Sequence, residues 1–251
     1  MPLISTESFL RKKDSHDKIA QNSKKNFLNS KYYHALGLMF TLILIVSNIA
    51  AIKVFSVAGF SLPGGMIVFP LLYILNDTLT EVYGFTASRR IIWSALLCNI
   101  LVSGVLYIVV VLPPADHWSN HESYKNIFSL SPWIVMASIV SYITGESINA
   151  VIISTLKIKM KGGFFALRAI FSTFIGALIE TTIFCFIAFS SQMPLIIILE
   201  MIINMTLIKV FYELFAMPIT TRFVSFLKTS EDMNVFEMPT LSNMLPNFKL
   251  R

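Results

Sequence analysis

"NDTLTEVYG", residues 76–84, closes an apolar run that begins at Met66. Asp77 and Glu81 stand four residues apart in it, so a helix through this stretch puts both carboxylates on one stripe. Tyr73, four residues earlier, extends that stripe, and Asn76 and Thr80 adjoin it. What kind of chain this is depends on why an otherwise apolar helix carries two acids on one face.

The surrounding sequence fixes the solvent. Of 251 residues 55% are hydrophobic and 14% charged, whereas a soluble domain carries about a quarter charged residues. The charges are also segregated. Mostly apolar windows recur at about 33–55, 64–84, 90–112, 131–156, 165–189 and 194–220, each near the roughly 20 residues that cross about 30 Å of hydrocarbon. Such segments are predicted to be helical, because lipid cannot satisfy an open strand edge. The expected fold class is therefore all-α, a polytopic bundle of six transmembrane helices. It would comprise a mobile tail over 1–32, a helical domain over 33–227 and a second tail over 228–251, with the chain beyond about 229 loosely held. Pro63 is placed to start the second helix, and Pro70 to kink it.

The net charge of +6 does not indicate nucleic acid, because of where the bases lie. Seven of the 20 Lys and Arg residues fall within the first 31 positions, and most others sit in short loops between apolar runs. Arg89, Arg90, Lys157, Lys159, Lys161, Arg168, Arg222 and Lys228 all fall on the side of the N-terminal tail, which predicts cytoplasmic termini. Cys98 and Cys185 lie in apolar segments and read as small core hydrophobes, not as a disulfide.

On this layout Asp77, Glu81, Glu146, Glu180 and Glu213 lie inside the bilayer. An acid at the centre costs about 2.5–3.5 kcal/mol on insertion scales. The cations expected at depth are Lys209 and, near the interfaces, Lys53 and Arg168, so the acids are in excess. Lys209 and Glu213, four apart, are spaced to pair along their helix, and Glu146 and Asn149 share a face. The plainer readings are that Glu81 snorkels to the interface, that Arg168 and Lys53 are interfacial anchors, and that Tyr73, Trp93, Phe171 and Phe174 are packing residues. His117 and His121, with Asp116 and Glu122, have the spacing of a zinc site but fit a solvated loop better. No hydrolase, nucleotide-binding or dinucleotide motif is present in the sequence, so neither an enzyme nor a cofactor is expected.

"SNIAAIKV" (47–54) and "FPLLYILNDTLTEVYGFTASRR" (69–90), followed by "TGESINAVIISTLKIK" (144–159) and "LRAIFSTFIGALIETTIFCFIAF" (167–189), resemble the blocks of the queuosine precursor transporter family, also called the vitamin uptake transporter family. The likeness covers about residues 35–225. It implies six helices in a bacterial inner membrane and uptake of a 7-deazaguanine base (cyano, aminomethyl or queuine) for tRNA modification. By that likeness Asp77, Glu81, Glu146, Asn149, Arg168, Glu180 and Lys209 match the family's polar positions, and Asn48 and Tyr73 complete the candidate substrate site. One departure is that many members carry Asp where this chain has Glu180, and an amide or acid where it has Ala177.

A guanine-like base offers a ring N–H beside an exocyclic amine, and one carboxylate accepts from both. Adenine has an acceptor in place of that ring N–H. The expected partners are thus a planar small molecule and lipid, with no nucleic acid and no oligomer indicated. A substrate-binding subunit needing a separate ATPase and, more remotely, an intramembrane enzyme are the competing readings.

Overall fold

The computed structural model describes residues 30–57, 60–128, 131–190, 193–237 and 239. The expected tail over 1–32 lies almost wholly outside them, as does the end of the second tail. Seven helices are formed among the described residues: α1 (Tyr33–Ala50), α2 (Pro70–Tyr83), α3 (Phe85–Val111), α4 (His121–Phe128), α5 (Ser131–Lys159), α6 (Phe165–Phe189) and α7 (Leu195–Glu231). Five of them, α1, α3, α5, α6 and α7, are long and apolar enough to cross a membrane. Their outward faces are apolar: Leu38, Leu101, Phe215 and Ile219 are 61–80% exposed. Phe171 and Phe174 also point outward, which fits contact with lipid. This is a multi-pass, all-α membrane protein.

The segment expected as the second span, 64–84, is built differently from the others. An antiparallel hairpin, β1 (Val54–Val57) and β2 (Phe60–Pro63), follows α1 and leads into a 3-10 turn over Gly64–Ile67. Only then does α2 begin. Pro63 therefore ends a strand, and Pro70 occupies the first turn of α2 instead of kinking it; its missing N–H costs nothing at that position. With 14 residues, α2 is only about 21 Å long, short of the hydrocarbon thickness. It compensates by being enclosed, with 11 of its residues buried, Asp77 and Glu81 among them. It packs against α1, α3, α5 and α7.

Both ends of the described chain meet at one end of the bundle. The Glu231 carboxylate accepts from the Tyr32 backbone N–H at 2.7 Å and from the Tyr83 hydroxyl at 3.3 Å. The return run through α2 makes that shared end possible. The chain past Glu231 is also held more firmly than its composition suggests. The Val235 N–H donates to the Val82 carbonyl at 3.3 Å, the Val235 carbonyl accepts from Lys157 at 2.7 Å, and Glu237 accepts from the Thr86 N–H at 2.8 Å. Met233–Glu237 thus straps the end of the bundle, and the expectation of a loose tail from 229 fails for these residues. Free backbone groups at the α2–α3 junction are what it satisfies.

Glu81 ties α2 to this end. Arg168 of α6 donates to both of its oxygens, at 2.9 and 3.2 Å. Lys228 of α7 donates to Oε1 at 2.6 Å, and Lys157 of α5 donates to the Glu81 backbone carbonyl at 2.5 Å. Glu81 does not snorkel, and Arg168 is no interfacial anchor: both side chains are fully buried. Lys53, by contrast, is exposed.

α5 and α6 are the most closely packed helices, and two glycines set their approach. A Cβ added at Gly145 would lie 2.4 Å from the Glu180 Cβ, and one at Gly176 would lie 2.9 Å from the Asn149 Cβ. Each glycine makes room for the base of a polar side chain on the other helix, so backbone proximity sets where Glu180 and Asn149 emerge.

Two stability changes follow. Gly145→Ala should lose about 1–3 kcal/mol by overpacking, whereas Gly104→Ala, with nothing within 4 Å of its added carbon, should be neutral or stabilising; denaturation of the detergent-solubilised protein compares them. By the same assay Glu81→Gln, which leaves converging cations without a counter-charge, should cost about 3–5 kcal/mol. Lys228→Met removes the partner that is 23% exposed and should cost about 1 kcal/mol or less.

Candidate functional site

The polar residues of α2 face a different helix at each turn. At its hairpin-side end, the Tyr73 hydroxyl donates to Oε2 of Glu180 on α6. One turn on, Asn76 donates to Glu146 of α5 at 2.5 Å and accepts from Ser88 of α3 at 2.6 Å. Asp77 accepts from Asn149 of α5 at 2.8 Å and faces Glu213 of α7. Glu81 ends the series. The four-residue spacing within each helix produces this register: Tyr142, Glu146, Asn149 and Ile153 make one buried face of α5, and Ser172, Gly176 and Glu180 make one of α6.

Lys209 is placed by Glu180. Its amine donates to Glu180 Oε2 at 3.0 Å and to the Thr181 hydroxyl at 3.2 Å. It also lies 4.7 Å from the Phe69 ring centre and 5.5 Å from that of Tyr73, so aromatic faces further stabilise the cation. The pairing expected between Lys209 and Glu213 does not form; Glu213 turns toward Asp77 instead. The interhelical pair satisfies Glu180 and Lys209 together where both side chains are nearly buried.

Glu180 and Lys209 form the floor of a cleft beneath the hairpin. Asn48 and Ser47 of α1, Met66 and Phe69 before α2, Ser138 of α5, and Phe184 and Met205 line the rest. In this conformation the cleft is narrow, a cavity of about 40 Å³, well below the roughly 300–1,000 Å³ of formed small-molecule sites, so its walls must part to admit a planar base. Two aromatic rings and two methionines form walls, while the polar groups converge from different helices. Asn48 is itself fixed, accepting from the Ser138 hydroxyl at 2.7 Å and donating to the Leu44 carbonyl at 3.1 Å. Both bonds to the Glu180 carboxylate fall on Oε2, so Oε1 is the oxygen left for a ligand.

Of the residues singled out from sequence, Asn48, Glu180 and Lys209 line the cleft, and Tyr73 reaches it through Glu180. Asn149, Asp77 and Glu146 lie deeper, and Glu81 with Arg168 lies at the strapped end. The three acids Asp77, Glu146 and Glu180 come from three helices, but only Glu180 borders the cleft. Sequence reasoning missed Phe69, Ser138, Phe184 and Met205. Phe69 and Phe184 lie four residues before Tyr73 and after Glu180, a spacing that could have flagged them. It also missed Arg89, expected to be a surface charge. Arg89 is buried and donates to the Glu146 backbone carbonyl at 2.8 Å and to Ser147 at 2.9 Å.

The chain is similar to two bacterial proteins. It is 23% identical over 175 residues to the Bacillus subtilis protein named "Probable queuosine precursor transporter", spanning 69% of this chain and 76% of that one. It is 25% identical over 166 residues to the Escherichia coli "Queuosine precursor transporter", spanning 65% and 72%. No solved structure matches significantly. Residues 63–223 match the family described as "Putative vitamin uptake transporter". That match runs from the end of the hairpin through α2 into α7, more than half of the chain, and the protein belongs to this transporter family, not to an enzyme family.

Proposed function

We propose that this protein imports queuosine precursors, 7-deazaguanine bases, across a bacterial cytoplasmic membrane. The observation that carries the reading is Glu180, a carboxylate held by Lys209 and Tyr73 at the floor of an aromatic-walled cleft. A flat base would enter under the hairpin and lie against Phe69 and Phe184. Its ring N–H and exocyclic amine would donate to the Glu180 carboxylate, with Oε1 available at once and Oε2 as Tyr73 or Lys209 yields. Asn48 would read a further polar edge. Adenine would set an acceptor against the carboxylate and be rejected, since a buried acceptor without its donor costs about 1–3 kcal/mol. The relatives' names support the substrate class.

The Lys and Arg asymmetry supports placing both termini and the strap in the cytoplasm and the hairpin side of the cleft outside. Import then requires the strapped end, closed around Glu81, to open in another conformation. Tails at 1–32 and 228–251 flanking a transport domain at 33–227 belong to this reading, with Met233–Glu237 assigned to the closed end.

The test combines binding and uptake. In detergent, 7-cyano- and 7-aminomethyl-7-deazaguanine, queuine and guanine should raise the melting temperature, and adenine should not. A stabilising ligand at a hundredfold excess over Kd contributes about 2.7 kcal/mol. Glu180→Gln should weaken that binding at least tenfold, about 1.4 kcal/mol, while Glu200→Gln should leave it intact. A strain unable to make the base should regain labelled uptake when it expresses this protein without any ATPase module. Equal stabilisation by adenine, or indifference to Glu180, would refute carboxylate recognition.

A further inference from the structure

Between the cleft and the Glu81 cluster lies a carboxyl pair that no base neutralises. Asp77 on α2 and Glu213 on α7 are 1% and 2% exposed and face each other. Asn149 donates to Asp77 Oδ1 at 2.8 Å, yet Asp77 Oδ2, Glu213 Oε2 and Asn149 Oδ1 all lack a hydrogen-bond partner. Thr173 Oγ1 of α6, which faces Glu213, lacks one too. Four helices therefore bring oxygens to one buried spot, where the Asn149 amide and the Thr173 hydroxyl are the neutral donors and no cation reaches the two carboxyls.

The charges around this spot do not relieve it. Glu146 of α5 adds a third carboxyl, held by Asn76, with Oε1 bare. Arg89 of α3 gives its terminal nitrogens to Ser147 and to a backbone carbonyl, not to a carboxylate. Lys209 is taken by Glu180 and Thr181, while Arg168, Lys157 and Lys228 gather on Glu81 one turn away. Two desolvated carboxylates facing each other without a cation cannot both remain ionised. One proton between them removes a negative charge and lets one carboxyl donate to the other.

We propose that the Asp77–Glu213 pair is the coupling site of this transporter, binding one exchangeable proton that enters with the substrate and is released to the cytoplasm. The step is protonation of one carboxylate to its acid and the reverse, with no redox change. Glu146, which faces both Glu180 and Glu213, connects the pair electrostatically to the cleft. The inference rests on the import reading above for its role, but not for the proton itself.

The full-length protein in liposomes tests both parts. In infrared pH titration, the wild type should show the carbonyl band of a protonated carboxylic acid at neutral pH. That band should shift in D2O, vanish at alkaline pH, and be lost in Asp77→Asn and in Glu213→Gln. Absence of the band, or its persistence in both variants, overturns the proposal. With labelled 7-cyano-7-deazaguanine, an imposed inward proton gradient should drive accumulation, and Glu213→Gln should lower the ratio of accumulation to exchange at least tenfold. An unchanged ratio, or accumulation that follows a sodium gradient instead, also overturns it. Wild-type liposomes that exchange no deazaguanine would refute the substrate reading instead, and the infrared titration would then decide the proton site alone.

Discussion

The structure depends on one constraint: a short helix carrying two acids and an amide is enclosed by the other helices, where water cannot reach them. An ion moved into such a place is penalised by several kcal/mol even after relaxation, so Tyr73, Asn76, Asp77 and Glu81 each dictate something about their neighbours. Tyr73 calls for an acceptor on α6, Asn76 for partners on α3 and α5, and Glu81 for cations on three helices. The four-residue polar stripes of α5, α6 and α7 are that requirement written into separate parts of the chain. Packing then follows: Gly145 and Gly176 let α5 and α6 approach until Glu180 and Asn149 emerge toward α2.

Charge balance changes along α2, and the proposed roles of its two ends follow that gradient. At the strapped end, Glu81 is over-matched by Arg168, Lys157 and Lys228. Such a cluster suits a closure, since its geometry is specific and its members come from different helices. In the middle, Asp77 and Glu213 are under-matched. At the cleft, Glu180 is matched by one cation and one hydroxyl on a single oxygen, which keeps it ordered and leaves Oε1 open for the proposed ligand. A flat donor-rich ligand completes that set without requiring new charge. The proposed import cycle needs a closed end, an open end and an element linking them; α2 would be that element, with Glu81 at one end and Tyr73 at the other.

Much of this was legible in the sequence, for reasons that can be named. The five long helices follow from the length of apolar runs, and the candidate polar residues stood out because ionisable groups in apolar windows are rare. The break before α2 was not legible, because "GFSLPGG" reads equally as a plain loop between spans, and Pro63 and Pro70 are compatible with helix starts or kinks. Arg89, Lys157 and Arg168 read as topology signals, since a cation near a helix end has the same sequence signature whether it faces headgroups or the polar interior of the bundle. The partner of Lys209 was missed because Glu213 is four residues away in sequence and Glu180 only in space. Backbone groups left open at Val82 and Thr86 explain why Val235 and Glu237 are held where composition suggested freedom.

The measurement that bears most directly on the central claim is where a bound base sits. Photolabelling of the intact protein in native membranes with an azide-bearing deazaguanine, followed by peptide mapping, locates it without presupposing a transport mechanism. The account predicts that label falls on Met66–Tyr73 and Glu180–Met205, beneath the hairpin, and is competed by guanine but not adenine. Label confined to the outward apolar faces of α3 and α7, or insensitive to guanine, would contradict it.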